Sequence, residues 1–434
     1  MRSVLLPSFI KLMTLMLASC LLSSALYASS QSNNANVNQF SGRDNIPREE
    51  QLLLNALEAI AQADLNGAEM ALSQLLKRQS KFRLAQLVYA DVLMARSGRL
   101  VDFGSGAARQ RVKLLREEAQ ARLTNARLFP NSANKLPSVL LGLAASQTRA
   151  IVVDIRGARL YVFRNDNGVP HLEQSFYVST GKNGGLKKIE GDQRTPVGVY
   201  FVTGRIAGKT LSDFYGPGAL PVNYPNEWDL REGRTGYGIW IHGVPSDTFA
   251  RSPKASDGCM ALSNDHLQQL LRMSRLKNTP VIITNGIKWL DRSVLMHQQQ
   301  QFSKNLEDWR KDWESRDPSR YTQHYSQRFR NAKSSYAGWI KNKTKVNASK
   351  RYIRVALNDV SIFSYPGVAD LRVVSFNQEY RSDNYSSQSP KRQYWQREAD
   401  GVWRIIFEGP IELRPEHLRG IPFSARSRLS SLAQ

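Results

Sequence analysis

Cysteine is almost missing from this chain: 434 residues carry two, Cys20 and Cys259. That excludes a disulfide framework and a cysteine-rich metal site. Histidine is nearly as sparse. The six residues His171, His242, His266, His297, His324 and His417 are scattered with no HExxH pair, so neither a metal nor another cofactor is expected. Acidic side chains are the third deficit, since 37 Asp and Glu stand against 60 Lys and Arg and leave a formal charge of +23. Such a surplus attracts an anionic partner: nucleic acid, lipid or an acidic polymer. Long apolar runs are also lacking, because Leu12 to Leu22 extends over 11 residues, whereas a membrane span takes about 20. A hydrophobic content of 41% nevertheless rules out a wholly disordered chain, and the length allows roughly three domains.

The start of the chain reads as an export signal over residues 1–28. Arg2 and Lys11 make a basic opening, the apolar run follows, and Ser23, Ser24, Ala25 and Ala28 supply small residues. Leu17-Ala18-Ser19-Cys20 resembles a lipoprotein processing box, but Leu21 and Leu22 after the cysteine are apolar, which favours plain cleavage over lipidation at Cys20. The expected location is the periplasm, which removes nucleic acid as a partner. By either route the exported protein keeps one free thiol, Cys259, and a lone thiol in an oxidising compartment is a liability unless it is buried or used.

Residues 29–44 are rich in Ser, Asn and Gln and read as a flexible leader. Over 45–130 apolar residues recur at helical spacing (Leu52, Leu53, Ala56, Leu57 and Ile60; Met70, Leu72, Leu75 and Leu76; Leu84, Leu87, Val88, Val92 and Leu93). Three short helices and a basic fourth are expected, weakly similar to a tetratricopeptide hairpin. Over 147–286 the period changes to short β-rich runs such as Ile151 to Ile155, Arg159 to Phe163 and Val197 to Val202, which makes a mostly-β domain. A connecting helix over 287–316 leads to helices and antiparallel strands over 302–412, with separate strands at Tyr352 to Leu357 and Val360 to Tyr365. That α+β order resembles the nuclear-transport-factor-2-like (NTF2-like) superfamily. A basic tail covers 413–434. The fold class is thus multidomain: helical, then mostly β, then α+β.

The chemistry-bearing stretch is Ile241-His242-Gly243, followed 17 positions after the histidine by Ser256-Asp257-Gly258-Cys259. A cysteine nucleophile needs a base nearby, because a free thiol titrates near about 8.5. His242 can supply it, and glycine before the cysteine lets backbone approach a substrate, with amides around Gly258 and Cys259 available to an oxyanion. These residues resemble the YkuD-type L,D-transpeptidase family, whose motif is His-Gly, a spacer, then Ser/Thr-His-Gly-Cys. Ser179-Thr180-Gly181 and Gly191-Asp192-Gln193-Arg194-Thr195-Pro196-Val197-Gly198-Val199-Tyr200 precede it in the expected order, the second being similar to a YafK-like subgroup.

The resemblance implies Cys259 as acylated nucleophile, His242 as general base, the Gly243 carbonyl as the group that orients the imidazole, and the Gly258 amide as oxyanion donor. It implies Arg194, Tyr200, Ser256 and Asp257 at the substrate. Two departures stand out: Asp257 replaces the second motif histidine, and Ala261 stands where many members carry Arg or Asn. The implied activity is cysteine-dependent acyl transfer on peptidoglycan stem peptides, with release of D-alanine and transfer to an amine of a second stem or of a wall-attached lipoprotein. Hydrolysis of the lipoprotein–diaminopimelate link by the same acyl-enzyme is the alternative within the class. A non-catalytic wall-binding scaffold is the alternative outside it, and the helical region and the C-terminal domain are candidate surfaces for protein partners.

Overall fold

The computed structural model describes residues 45–128, 134–273 and 276–412 together with residue 417. The expected export signal, Cys20, the expected leader and nearly all of the basic tail lie outside these residues.

Three helices of equal length open the fold: α1 (Arg48–Ala61), α2 (Leu65–Arg78) and α3 (Arg83–Arg96). α1 packs on α2 and α2 on α3, and a longer α4 (Arg109–Leu128) follows. The apolar spacing explains the packing, since Leu53, Ala56, Leu57, Leu72, Leu75 and Val88 share one buried cluster. Asp64 caps α2 by accepting from the Gly67 N–H at 2.8 Å.

This helical unit docks on the next domain through charge as well as apolar surface. Glu50 on α1 accepts from Arg159 Nη1 of the β domain at 2.9 Å and pairs with Arg122 on α4. Arg122 also binds Glu118 at 2.7 Å and lies 3.8 Å from the Tyr177 ring. All four charged groups are buried. Burial opposes ionisation of Glu50, but Arg122 and Arg159 outweigh it and hold its carboxyl below the ordinary range.

The β domain layers two sheets. A five-stranded sheet runs in the order Val169–Tyr177, Arg159–Asp166, Arg149–Asp154, Pro280–Thr284, Gly198–Phe201. A four-stranded sheet runs Met260–Ala261, Trp240–His242, Gly218–Pro221, Ile206–Ala207. Ile151, Val153, Leu160 and Val162 from the first face Leu220, Ile241 and Met260 from the second in one core, closed by Leu267 and Leu270 of the helix Asn264–Arg272.

The C-terminal domain wraps a sheet around the helix Arg292–Ser315. The connector expected over 287–316 is therefore a strand, Trp289–Asp291, followed by a helix that buries Phe302, Leu306, Trp309 and Trp313 in the domain core. The two strands expected around Val360 are one, Ile353–Ser364: Asp359 takes φ +55° and absorbs a bulge without ending the strand. The sheet also takes a strand from far upstream, because Leu140–Gly142 pairs with Ile362 and Phe363. Glu227 of the β domain clamps the interface, accepting from Arg392 Nη1 and the Tyr394 hydroxyl, both at 3.0 Å.

Glu50→Gln leaves the buried Arg159 without a carboxylate and Arg122 with Glu118 alone, and is expected to cost about 3–5 kcal/mol. Hydrogen exchange checks this: amides of α1 and α4 should exchange faster, whereas unchanged protection would mean that the cluster does not hold the unit in place.

Candidate active site

The strands Trp240–His242 and Met260–Ala261 run parallel with Ile241 opposite Met260 and His242 opposite Ala261. Side chains alternate along a strand, so Trp240, His242 and the residue just before Met260, Cys259, share one face. Tyr215 closes that face: its ring lies 5.2 Å from Trp240 and 5.1 Å from His242, and Cys259 packs into the same cluster. The sequence motif is thus a pair of neighbouring strand ends.

His242 is 1% exposed, and its Nδ1 lies 2.6 Å from the Gly243 carbonyl oxygen. A carbonyl only accepts, so Nδ1 carries the proton and the neutral ring keeps its lone pair on Nε2. Burial pushes the imidazole down to about 4, only partly offset by that bond, with Arg251 adding to the fall. The Gly243 N–H donates to the Tyr215 carbonyl at 2.9 Å, and a Cβ there would collide with Asn264 Oδ1 and Pro217.

The Cys259 thiol is half-buried and donates to the Gly238 carbonyl at 3.3 Å. Burial pushes it up to about 11 with Asp257 adding to the rise, while the Trp240 N–H, Arg251 and Lys187 oppose it. Cysteine and histidine are therefore each held uncharged.

The upstream motifs hold the cysteine loop. Thr195 is fully buried, accepts from the Gly181 N–H at 2.9 Å and donates to the Gly258 carbonyl at 3.0 Å. Gly258 sits at φ +128° with the Arg194 carbonyl 2.7 Å from where a Cβ would be, so only glycine fits. Asp192 accepts from Lys187 Nζ and from the Lys188, Ile189 and Arg194 amides, folding its own turn.

Several expected roles change. Tyr200 is buried in the core, where its hydroxyl donates to Asp229 Oδ2 at 3.0 Å, because its strand turns that face away from the cleft. Ser256 is buried as well, donating from Oγ to the Cys259 carbonyl at 2.6 Å and accepting from the Gly258 N–H at 3.2 Å. It shapes the loop from within, and it occupies the Gly258 amide that was expected at the oxyanion. Asp257 stays at the rim, paired with Lys182 Nζ at 2.8 Å and with Gln193 Nε2 at 3.0 Å. Arg194 donates from Nη1 to the Gly185 carbonyl at 3.0 Å.

Sequence reasoning missed Phe214, Tyr215 and Arg251. Phe214 lies 6.1 Å from the His242 ring, and Arg251 lies 4.1 Å over Phe214. Two adjacent aromatics inside a turn-rich stretch, Ser212 to Gly218, were the available signal. A cavity of about 290 Å³ adjoins Asn264 and is lined also by Arg78 and Lys81 of the helical unit and by Ser246 and Thr248 after His242. Lys81 Nζ donates to the Ser246 carbonyl at 2.7 Å, so the helices help form the surroundings of the histidine strand.

Comparison with known proteins agrees with the geometry. Residues 148–283 match the L,D-transpeptidase catalytic domain YkuD, and residues 301–409 match the Cds6 C-terminal NTF2-like domain. The structure of Bd1075 from Bdellovibrio bacteriovorus is similar at 28% identity and a TM-score of 0.57, covering 64% of this chain and 100% of that one. The helical cell shape determining protein Pgp2 from Campylobacter jejuni is similar at 25% identity and a TM-score of 0.54, covering 63% of this chain and 95% of that one. No curated protein matches the chain. Within the chain, residues 148–283 are thus similar to the L,D-transpeptidase catalytic domain YkuD, and a segment similar to an NTF2-like domain follows them.

Proposed function

We propose that the protein is an exported, periplasmic L,D-transpeptidase that uses Cys259 to acylate at meso-diaminopimelate of a peptidoglycan tetrapeptide stem. The observation that carries this reading is the Nδ1–Gly243 bond of 2.6 Å, which leaves the Nε2 lone pair to act as base on the strand face that His242 shares with Cys259. Nε2 takes the thiol proton as Sγ bonds to the scissile carbonyl carbon. The carbon–nitrogen bond then breaks, the proton passes from His242 to the departing amine, and D-alanine leaves a thioester on Cys259. An amine of a second stem or of a lipoprotein lysine attacks the thioester, giving up its proton through His242, and the thiol is regenerated. The Gly243 carbonyl takes the orienting place of a triad carboxylate. With the Gly258 amide committed to Ser256, the Cys259 N–H supplies the oxyanion contact.

The charge of +23 suits an acidic wall polymer. Likeness to a protein described as determining helical cell shape supports a role in cell shape. Asp257 in place of the second motif histidine favours hydrolysis of a lipoprotein link as the second reading, since the acceptor alone separates the two.

Two measurements test the proposal. Mass spectrometry of tetrapeptide muropeptides and of lipoprotein-linked sacculi should show D-alanine release and cross-linked dimers with the wild type and neither with Cys259→Ala. Lipoprotein release alone would establish the hydrolase, and silence of both proteins on both substrates would leave the scaffold. Alkylation of Cys259 by iodoacetamide in the free protein should rise about tenfold per pH unit from neutrality into the alkaline range, because the thiol ionises near about 11. A plateau between about pH 5 and 8 would instead reveal a resting thiolate–imidazolium pair.

A further inference from the structure

Arg251 stands at the mouth of the site on a built frame. The Tyr177 hydroxyl donates to its carbonyl at 2.9 Å, Ser179 Oγ to the Ser252 carbonyl at 2.6 Å, and the Thr180 N–H to the Pro253 carbonyl at 2.8 Å. Its guanidinium lies 4.1 Å over the Phe214 ring, and Nη2 donates to the Phe214 carbonyl at 3.3 Å. Phe214 in turn leans on His242. The half-buried cation is close enough to act electrostatically on Cys259, His242 and Tyr215.

Nε and Nη1 of Arg251 have no partner among the described residues. The carboxylate that acts electrostatically on Arg251, Asp257, is engaged by Lys182 at 2.8 Å and Gln193 at 3.0 Å. Lys187 is engaged too, by Asp192 at 2.8 Å. On the strand beyond the nucleophile, Ala261 offers a buried methyl group beside His242 and cannot bind an anion. Two N–H groups of a planar guanidinium match the two oxygens of a carboxylate.

We propose that Arg251 is the specificity-determining residue of this site and binds the free terminal carboxylate of the residue that leaves, so that the protein acts on chain ends. The assignment rests on the acyl-transfer reading above. It makes the cation part of the subsite for the departing residue, held at the Phe214 edge of the cleft.

The test compares wild type, Arg251→Gln and Arg251→Lys on stem tetrapeptides whose terminal carboxylate is free or amidated. Wild type should prefer the free acid in kcat/KM by about 10- to 100-fold. Arg251→Gln should lose that preference through the free acid alone, and Arg251→Lys should keep part of it. Equal losses on both peptides would overturn the assignment, because they would show that Arg251 only supports Phe214. A second readout does not depend on the peptidoglycan reading: the ratio of Cys259 alkylation by iodoacetate to that by neutral iodoacetamide. That ratio should fall about tenfold in Arg251→Gln and be retained in Arg251→Lys, while an unchanged ratio overturns the carboxylate site. A protein silent on both peptides with the shifted ratio would retire the transpeptidase reading and keep the carboxylate site.

Discussion

The hydrogen bond from His242 Nδ1 to the carbonyl of Gly243 is the contact on which the site depends. It sets the tautomer, the ring plane and the free lone pair together, with no acidic third residue. Its geometry needs a glycine next to the histidine, since Asn264, Pro217 and the Tyr215 carbonyl leave no room for a side chain. Asn264 serves a second purpose by accepting from the Val244 N–H at 2.9 Å, which fixes the chain immediately after that carbonyl.

The rest of the β domain brings a thiol to this base and keeps both uncharged. Thr195 ties Gly181 to Gly258, Ser256 folds the loop onto Cys259, and Tyr215 covers Trp240 and His242. Burial raises the thiol and lowers the imidazole, so separated charges are disfavoured until a substrate arrives. Holding the pair neutral also lowers the thiolate fraction at neutral pH, which protects a lone cysteine from oxidation. The helical unit and the C-terminal domain grip this domain from two sides, through Glu50 with Arg159 and through Glu227 with Arg392.

What the sequence made legible was local. Periodicity revealed α1 to α3, because each buries one stripe of leucines, and the spacing from His242 to Cys259 with its glycines marked two residues that the structure places on one strand face. What it hid was relational. Tyr200 belongs to a strand whose inward face cannot be told from its cleft face by alternation alone. The Gly258 amide looked free because the acceptor, Ser256 Oγ, is set by the tight turn itself. Leu140–Gly142 joins a sheet more than 200 residues downstream, a pairing no local pattern encodes. Arg251 and Phe214 meet only because two separate loops converge over the histidine.

The measurement that tests the account most directly is nitrogen-15 NMR of the His242 ring in the free protein as a function of pH. The account predicts a neutral ring protonated on Nδ1 throughout the neutral range, charging only near about pH 4. A ring protonated on both nitrogens at neutral pH, or a neutral ring with its proton on Nε2, would contradict it.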